Sequence, residues 1–129
     1  MTVVRVLLVD DQAPFLRAMR AVVEATTGFE VVGEAPSGEE AITMTDDLLP
    51  DFVLMDVNLP GIDGVAATRR LRERESPPVV LLLSTYDDDV GAHFVAECGA
   101  AAYVTKSAFG PDRLRQVWTA ASSTSAPPR

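Results

Sequence analysis

The feature that most constrains this chain is an alternation. Short β-branched or apolar runs at Val3–Val9, Glu30–Ala35, Phe52–Met55, Val79–Leu83 and Ala101–Thr105 are separated by longer stretches with helical periodicity. Three of the runs are apolar on both faces, as parallel strands are when helices cover both sides of their sheet. Between the runs, Phe15, Ala18, Met19 and Val22 follow the i, i+3, i+4, i+7 spacing of a buried helix face, and so do Leu114, Val117, Trp118 and Ala121. Ala41, Met44 and Leu48 mark another helix, opened by a Ser37-x-x-Glu40 capping box. Val90, Phe94, Val95 and Cys98 form a fourth apolar face closed by Gly99, and Ala67 and Leu71 a fifth, bracketed by Gly64 and Pro77-Pro78. Pro14 and Pro111 sit where a first helical turn tolerates proline. Repeated β-α units with right-handed crossovers predict an α/β fold, a (βα)5 doubly wound, five-stranded parallel sheet.

Size and charge narrow the rest. A chain of 129 residues, 47% hydrophobic, suits one domain, set at residues 1–121 with a linker-like tail "SSTSAPPR" over 122–129. The apolar run Val79–Leu83 is far too short for a membrane span, and Val3–Val9 reads as a strand rather than a signal peptide. The single cysteine, Cys98, allows no internal disulfide, so a cytoplasmic setting is expected. A formal charge of −8 argues against direct binding to nucleic acid, whose phosphates would be repelled.

Parallel α/β sheets bind ligands at the carboxyl ends of their strands. There the first run ends at Asp10-Asp11, the third at Asp56, the fourth at Ser84-Thr85 and the fifth at Lys106. In "LMDVNLPGIDG" an apolar strand stops by delivering Asp56 out of its tip. Converging carboxylates repel one another unless a cation joins them. An all-oxygen set without a Cys/His cluster suits Mg²⁺ and not zinc. A hydroxyl and a lysine facing the metal suit the oxygens of a phosphoryl group. Asp56 is the natural nucleophile, with Asp10 and Asp11 left to ligate metal. The chain has no G-x-x-x-x-G-K-[ST] loop, so a nucleotide is not the obvious donor.

Asp10-Asp11, Asp56, Ser84 and Lys106, in this order on these strand ends, resemble the receiver domain of two-component response regulators (CheY-like), over about residues 3–121. "MDVNLPGIDG" and "VLLLSTYDDD" look most like the NarL/FixJ type. The resemblance implies the flavodoxin-like strand order 2-1-3-4-5, and that Asp56 accepts a phosphoryl group from a sensor histidine kinase. Asp11, Asp56 and the backbone carbonyl of Asn58 would then ligate Mg²⁺, with Asp10 helping through water. Ser84 would bond the phosphoryl oxygen, Lys106 would pair with Asp56 and then its phosphate, and Tyr103 would switch rotamer. The surface altered would be that of Val90–Cys98, Ala101–Thr105 and Leu114–Ala121. A helix-turn-helix output domain usually follows such receivers, so transcriptional control and homodimerisation, through the first and last helices or the face around the fifth strand, are the implied context. The expected role is a phosphoacceptor, not an enzyme acting on other molecules.

Departures and alternatives bear on this. Ser107 stands where many receivers have proline, and Asn58 and Tyr86 occupy positions that tune dephosphorylation in the family. A haloacid dehalogenase-type phosphatase also uses an aspartate nucleophile with Mg²⁺. It wants a second aspartate at the position of Asn58, and its nucleophile usually follows the first strand. A flavodoxin-like cofactor binder would bring its phosphate against Asp10-Asp11. Elsewhere the plain readings are a solvated or half-packed His93, a core Cys98, a packed Trp118, and a solvated face of Arg69, Arg70, Arg72 and Arg74. Asp87-Asp88-Asp89 read as acids favouring a helix start.

Overall fold

A computed structural model describes residues 3–85 and 88–124 of the chain, the side chains at 88–90, 92, 123 and 124 excepted. Tyr86, Asp87 and the tail from 125 onward lie outside the described residues, as do the side chains of Asp88, Asp89 and Val90. Five strands, β1 (Val4–Val9), β2 (Phe29–Ala35), β3 (Phe52–Asp56), β4 (Val79–Ser84) and β5 (Ala102–Thr105), alternate with five helices. The helices are α1 (Ala13–Glu24), α2 (Gly38–Leu48), α3 (Gly64–Leu71), α4 (Asp88–Cys98) and α5 (Pro111–Thr124). All strand pairs are parallel, as the alternation predicts, and the order is β2-β1-β3-β4-β5, as the resemblance implies.

The period-2 geometry of the central strands divides the core in two. Leu7, Val9, Val53, Met55, Val80 and Leu82 face one way and bury Ala41, Ala67, Leu71 and Cys98 from α2, α3 and α4. Val6, Leu8, Phe52, Leu54, Leu81 and Leu83 face the other and bury Met19, Val23, Leu114 and Val117 from α1 and α5. Each buried aliphatic side chain contributes about 1.5–3 kcal/mol. The strand tips beyond this core are therefore fixed points from which polar side chains project.

Helix ends follow local chemistry. The Ser37 hydroxyl accepts from the Glu40 N–H at 3.1 Å, as the capping box requires, while the return contact is the hydroxyl donating to Glu40 Oε2 at 3.3 Å. Leu49 ends α2 in a left-handed conformation (φ 51°), and Arg5 donates to the Leu48 and Leu49 carbonyls at 2.7 and 2.9 Å. Gly99 (φ 81°) ends α4 as expected.

Three local expectations need correction. Ala18 is exposed, because α1 turns Met19 and Val23 inward and half-buries Phe15, Leu16 and Val22, a face one residue wider than the spacing chosen. The last helix runs through Thr124, so Ser122 belongs to it, its hydroxyl donating to the Trp118 carbonyl at 2.5 Å. The arginines on and after α3 are not merely solvated: Arg69 meets Glu97 of α4 at 2.8 Å and Arg74 meets Asp46 of α2 at 2.6 Å. Such partly exposed pairs contribute about 0–1 kcal/mol each.

Candidate functional site

Hydrogen-bond ladders bring the acidic residues to one rim. β1 passes between β2 and β3, and Asp10 follows its last residue, its N–H donating to the Ala35 carbonyl at 3.1 Å. Asp56 is the last residue of β3, opposite Leu83, and the Val57 N–H donates to the Leu83 carbonyl at 2.9 Å. Ser84 ends β4 opposite Thr105, and Lys106 follows β5 directly, opening a 3-10 turn that continues through Ser107. Asp10, Asp56 and Ser84 are buried, whereas Asp11 is exposed. Four neighbouring strand tips thus supply the sequence-predicted residues to one place.

The loop after β3 is held by close backbone approach. The Gly64 N–H donates to the Val57 carbonyl at 2.9 Å, Asp63 caps α3 by accepting from the Ala66 N–H at 2.8 Å, and Glu39 of α2 accepts from the Ile62 N–H at 3.2 Å. Gly61 takes φ 74°, a conformation that favours glycine. A β-carbon on Gly64 would overlap the Asp56 carbonyl oxygen and stand 2.9 Å from Val57 Cα. Gly64→Ala is therefore expected to push the loop off the Asp56 tip and to cost about 1–3 kcal/mol. Urea denaturation reads this as a lowered midpoint; an unchanged midpoint would mean that the loop yields freely.

Within the site, one oxygen from each of Asp10, Asp11 and Asp56 lies within 4.8 Å of the others. Lys106 Nζ stands 2.9 Å from Asp10 Oδ2 and 3.7 Å from Asp56 Oδ1, so the lysine is nearer Asp10 than the Asp56 partner expected. Asp10 Oδ1 accepts from the Gln12 N–H at 2.8 Å, while Oδ2 is buried without an aligned hydrogen bond and relies on that ammonium. Asp56 Oδ1 accepts from the Asn58 N–H at 3.4 Å. Burial above all, then the charge of Asp10, pushes the Asp56 carboxyl up to about 6, against the pull of Lys106 and the Asn58 N–H, with Asp11 adding a smaller push. Three carboxylates set against one ammonium leave a net negative cluster. This donor set fits a hard divalent cation.

The remaining predicted residues divide. Tyr103 is half-buried on β5, its ring 6.3 Å from that of Phe94 and lying where a β-carbon on Gly91 would be. It therefore packs against α4. Cys98 is buried, with its thiol pushed up by that burial. His93 is exposed, 3.6 Å from Glu97. Sequence reasoning missed two contributors. Phe15 was assigned only to a core face, yet its ring centroid lies 4.4 Å from Lys106 Nζ. Glu39 stands in the first turn of α2, where an acid reads as ordinary helix chemistry, and its hold on the loop at Ile62 spans 23 residues.

With this geometry in place, comparison with known proteins is informative. Residues 6–119 match the response regulator receiver domain family. The transcriptional regulatory protein LiaR of Bacillus subtilis is 36% identical over 104 residues, 81% of this chain and 49% of that protein. A protein-glutamate methylesterase/protein-glutamine glutaminase of Methanospirillum hungatei is 38% identical over 105 residues, 80% of this chain and 30% of that protein. The chain thus spans half or less of the length of these relatives. Among solved structures, the signal receiver domain of the putative response regulator NarL from Mycobacterium tuberculosis superposes with a TM-score of 0.85 at 30% identity, covering 95% of this chain and 98% of that one.

Proposed function

This chain belongs to the response regulator receiver family, and from that premise we propose that it accepts a phosphoryl group on Asp56 in a Mg²⁺-dependent reaction, with a sensor histidine kinase as the donor. The observation that carries the reading is the convergence of Asp10, Asp11 and Asp56 within 4.8 Å, with Lys106 at their side. Asp11, Asp56 and the Asn58 carbonyl would hold the cation, and Asp10 would assist. The cation supplies charge neutralisation for the carboxylates and the incoming phosphoryl oxygens.

The chain's own residues do the rest. An ionised Asp56 Oδ attacks phosphorus as the phosphorus–donor bond breaks, and the donor leaves with that bond's electrons. Lys106 and the Ser84 hydroxyl then satisfy phosphoryl oxygens, since phosphorylation adds roughly −1.5 to −2 charge and three acceptors. Drawing Ser84 and Lys106 toward those oxygens favours one arrangement of β4, α4 and β5, with Tyr103 moving against Gly91 and Phe94. That face, α4-β5-α5, is the signalling surface in this reading.

An output domain of transcriptional type is the best-supported context, because the matched relative LiaR is a transcriptional regulatory protein. The similarity to a methylesterase fits a phosphoacceptor module that serves different outputs, and this chain is read as such a module and not as an enzyme. No helix among the described residues is long and apolar enough to cross a membrane. A cytoplasmic setting is proposed from the receiver family instead.

The test is intact-protein mass after incubation with Mg²⁺ and acetyl phosphate. Gain of one phosphoryl group that disappears with EDTA is the expected result. No gain from either acetyl phosphate or a phosphorylated histidine kinase, or a gain indifferent to EDTA or to Asp56→Asn, refutes the reading.

A further inference from the structure

Lys106 has a neighbour that carries no formal charge. Its Nζ lies 4.4 Å from the centroid of the Phe15 ring, while its side chain is only 15% exposed. Phe15 stands in the first turn of α1, five residues after Asp10, where Pro14 helps set the turn and the Phe15 N–H reaches the Gln12 carbonyl at 3.0 Å. One short segment therefore brings both Asp10 and an aromatic face to the same ammonium. The ring is itself half-buried against the α1/α5 side of the core, so its orientation is set by packing.

The chemistry of this arrangement is specific. Three carboxylates already outweigh the single ammonium, so what a neighbour can add is placement and not charge, and a fourth carboxylate would only add to their repulsion. An aromatic face attracts the cation through its quadrupole without adding charge or a metal ligand. It also holds the lysine to one side. The ammonium sits 2.9 Å from Asp10 and 3.7 Å from Asp56, which keeps it close to Asp56 with a looser grip on that oxygen. A leucine could fill the same core space and would lack the attraction.

We propose that Phe15 is a positioning residue for the phosphoacceptor site: its ring face fixes the resting place of the Lys106 ammonium between Asp10 and Asp56, from which the lysine meets the incoming phosphoryl oxygens. The inference rests on the phosphoacceptor reading of Asp56 and adds to it a residue whose electronics set the rate. Weakening the ring's attraction leaves the ammonium in place for a smaller fraction of the time. A contact of this kind at a partly exposed site corresponds to about a two- to fivefold effect.

The experiment uses the full chain with Phe15 replaced by 4-fluoro-, 3,5-difluoro- and 3,4,5-trifluorophenylalanine, which largely keep the ring's shape while draining its face. Phe15→Leu and Phe15→Trp accompany them. Position is read in metal-free protein from the NMR shifts of the Lys106 ε-methylene protons, and reactivity from the rate of phosphoryl gain with acetyl phosphate and Mg²⁺. The expected result is ring-shifted ε protons in the wild type, lost in Phe15→Leu. The rate should fall in graded fashion with fluorination, drop about two- to fivefold in Phe15→Leu, and be retained by Phe15→Trp. A wild type that is phosphorylated while the fluorinated series reacts at a single rate overturns this inference alone. Ring-shifted lysine protons in a wild type that gains no phosphoryl group from either acetyl phosphate or a phosphorylated histidine kinase overturn the phosphoacceptor reading, and the rate-setting role of Phe15 falls with it.

Discussion

Replacing Asp56 by asparagine is expected to abolish phosphoryl gain and, in the same protein, to stabilise the metal-free fold. The first half follows from chemistry, because an amide has no anionic oxygen with which to attack phosphorus. The second follows from linkage. Burial and the Asp10 charge raise the folded Asp56 carboxyl to about 6, whereas an unfolded aspartate titrates near the ordinary value of ~3.9. Between those values the folded state holds the extra proton, so stability falls as pH rises from about 4 to 6 and stays low above. A shift of that size corresponds to about 3 kcal/mol lost at neutral pH. Asparagine keeps the shape and carries no charge, so its Tm at pH 7 should exceed the wild type's by roughly 10 °C, with the gap closing toward pH 4. Thermal unfolding of both proteins in EDTA across pH 4–8 measures this. An asparagine variant no more stable than wild type at pH 7 would show that Lys106 compensates the charge fully.

The fold was legible because its signals were redundant. Each central strand is apolar on both faces, and the buried sets in the structure split by residue parity: Leu7, Val9, Val53 and Met55 on one side, Val6, Leu8, Phe52 and Leu54 on the other. The site was legible for a related reason. Strand ends are recognisable, and a polar residue directly after an apolar run must project from a tip, as Asp10, Asp56 and Lys106 do. What escaped sequence reasoning was pairwise geometry among side chains. Spacing brings Lys106 to the acids without saying that it stands 0.8 Å nearer Asp10 than Asp56, the difference between 3.7 and 2.9 Å. Phe15 satisfies helical periodicity, and periodicity cannot separate an aromatic that packs inward from one that also covers a cation. The arginines on and after α3 look like any solvated face until Glu97 and Asp46 arrive from other helices. Ala18 failed because an i, i+3, i+4 pattern fixes a face only to within one residue, and Val23 claimed the buried position.

Added Mg²⁺ should offset the pH trend of the metal-free protein, and the opposite pH slope of its increment is the sharper test of the cation. Ligation needs an ionised Asp56, so the proton and the metal compete for the same carboxylate. With the group at about 6, Asp56 is mostly ionised at pH 7 and mostly protonated at pH 5. The apparent affinity for Mg²⁺ should therefore weaken roughly tenfold over that interval from this group alone. A cation at a hundred times its dissociation constant adds about 2.7 kcal/mol to stability, and at ten times about 1.4 kcal/mol. At one Mg²⁺ concentration the increment in Tm should thus be about twice as large at pH 7 as at pH 5, while the metal-free baseline moves the opposite way. Two opposed slopes from a single carboxylate are hard to produce by general surface screening, which would change both curves in the same sense. Asp56→Asn should flatten both, because it removes the proton and the anionic ligand together. The decisive comparison is the Mg²⁺ increment in that variant: if it keeps its full size and its pH slope, the cation is held elsewhere, and Asp10, Asp11 and Asp56 are not its ligands.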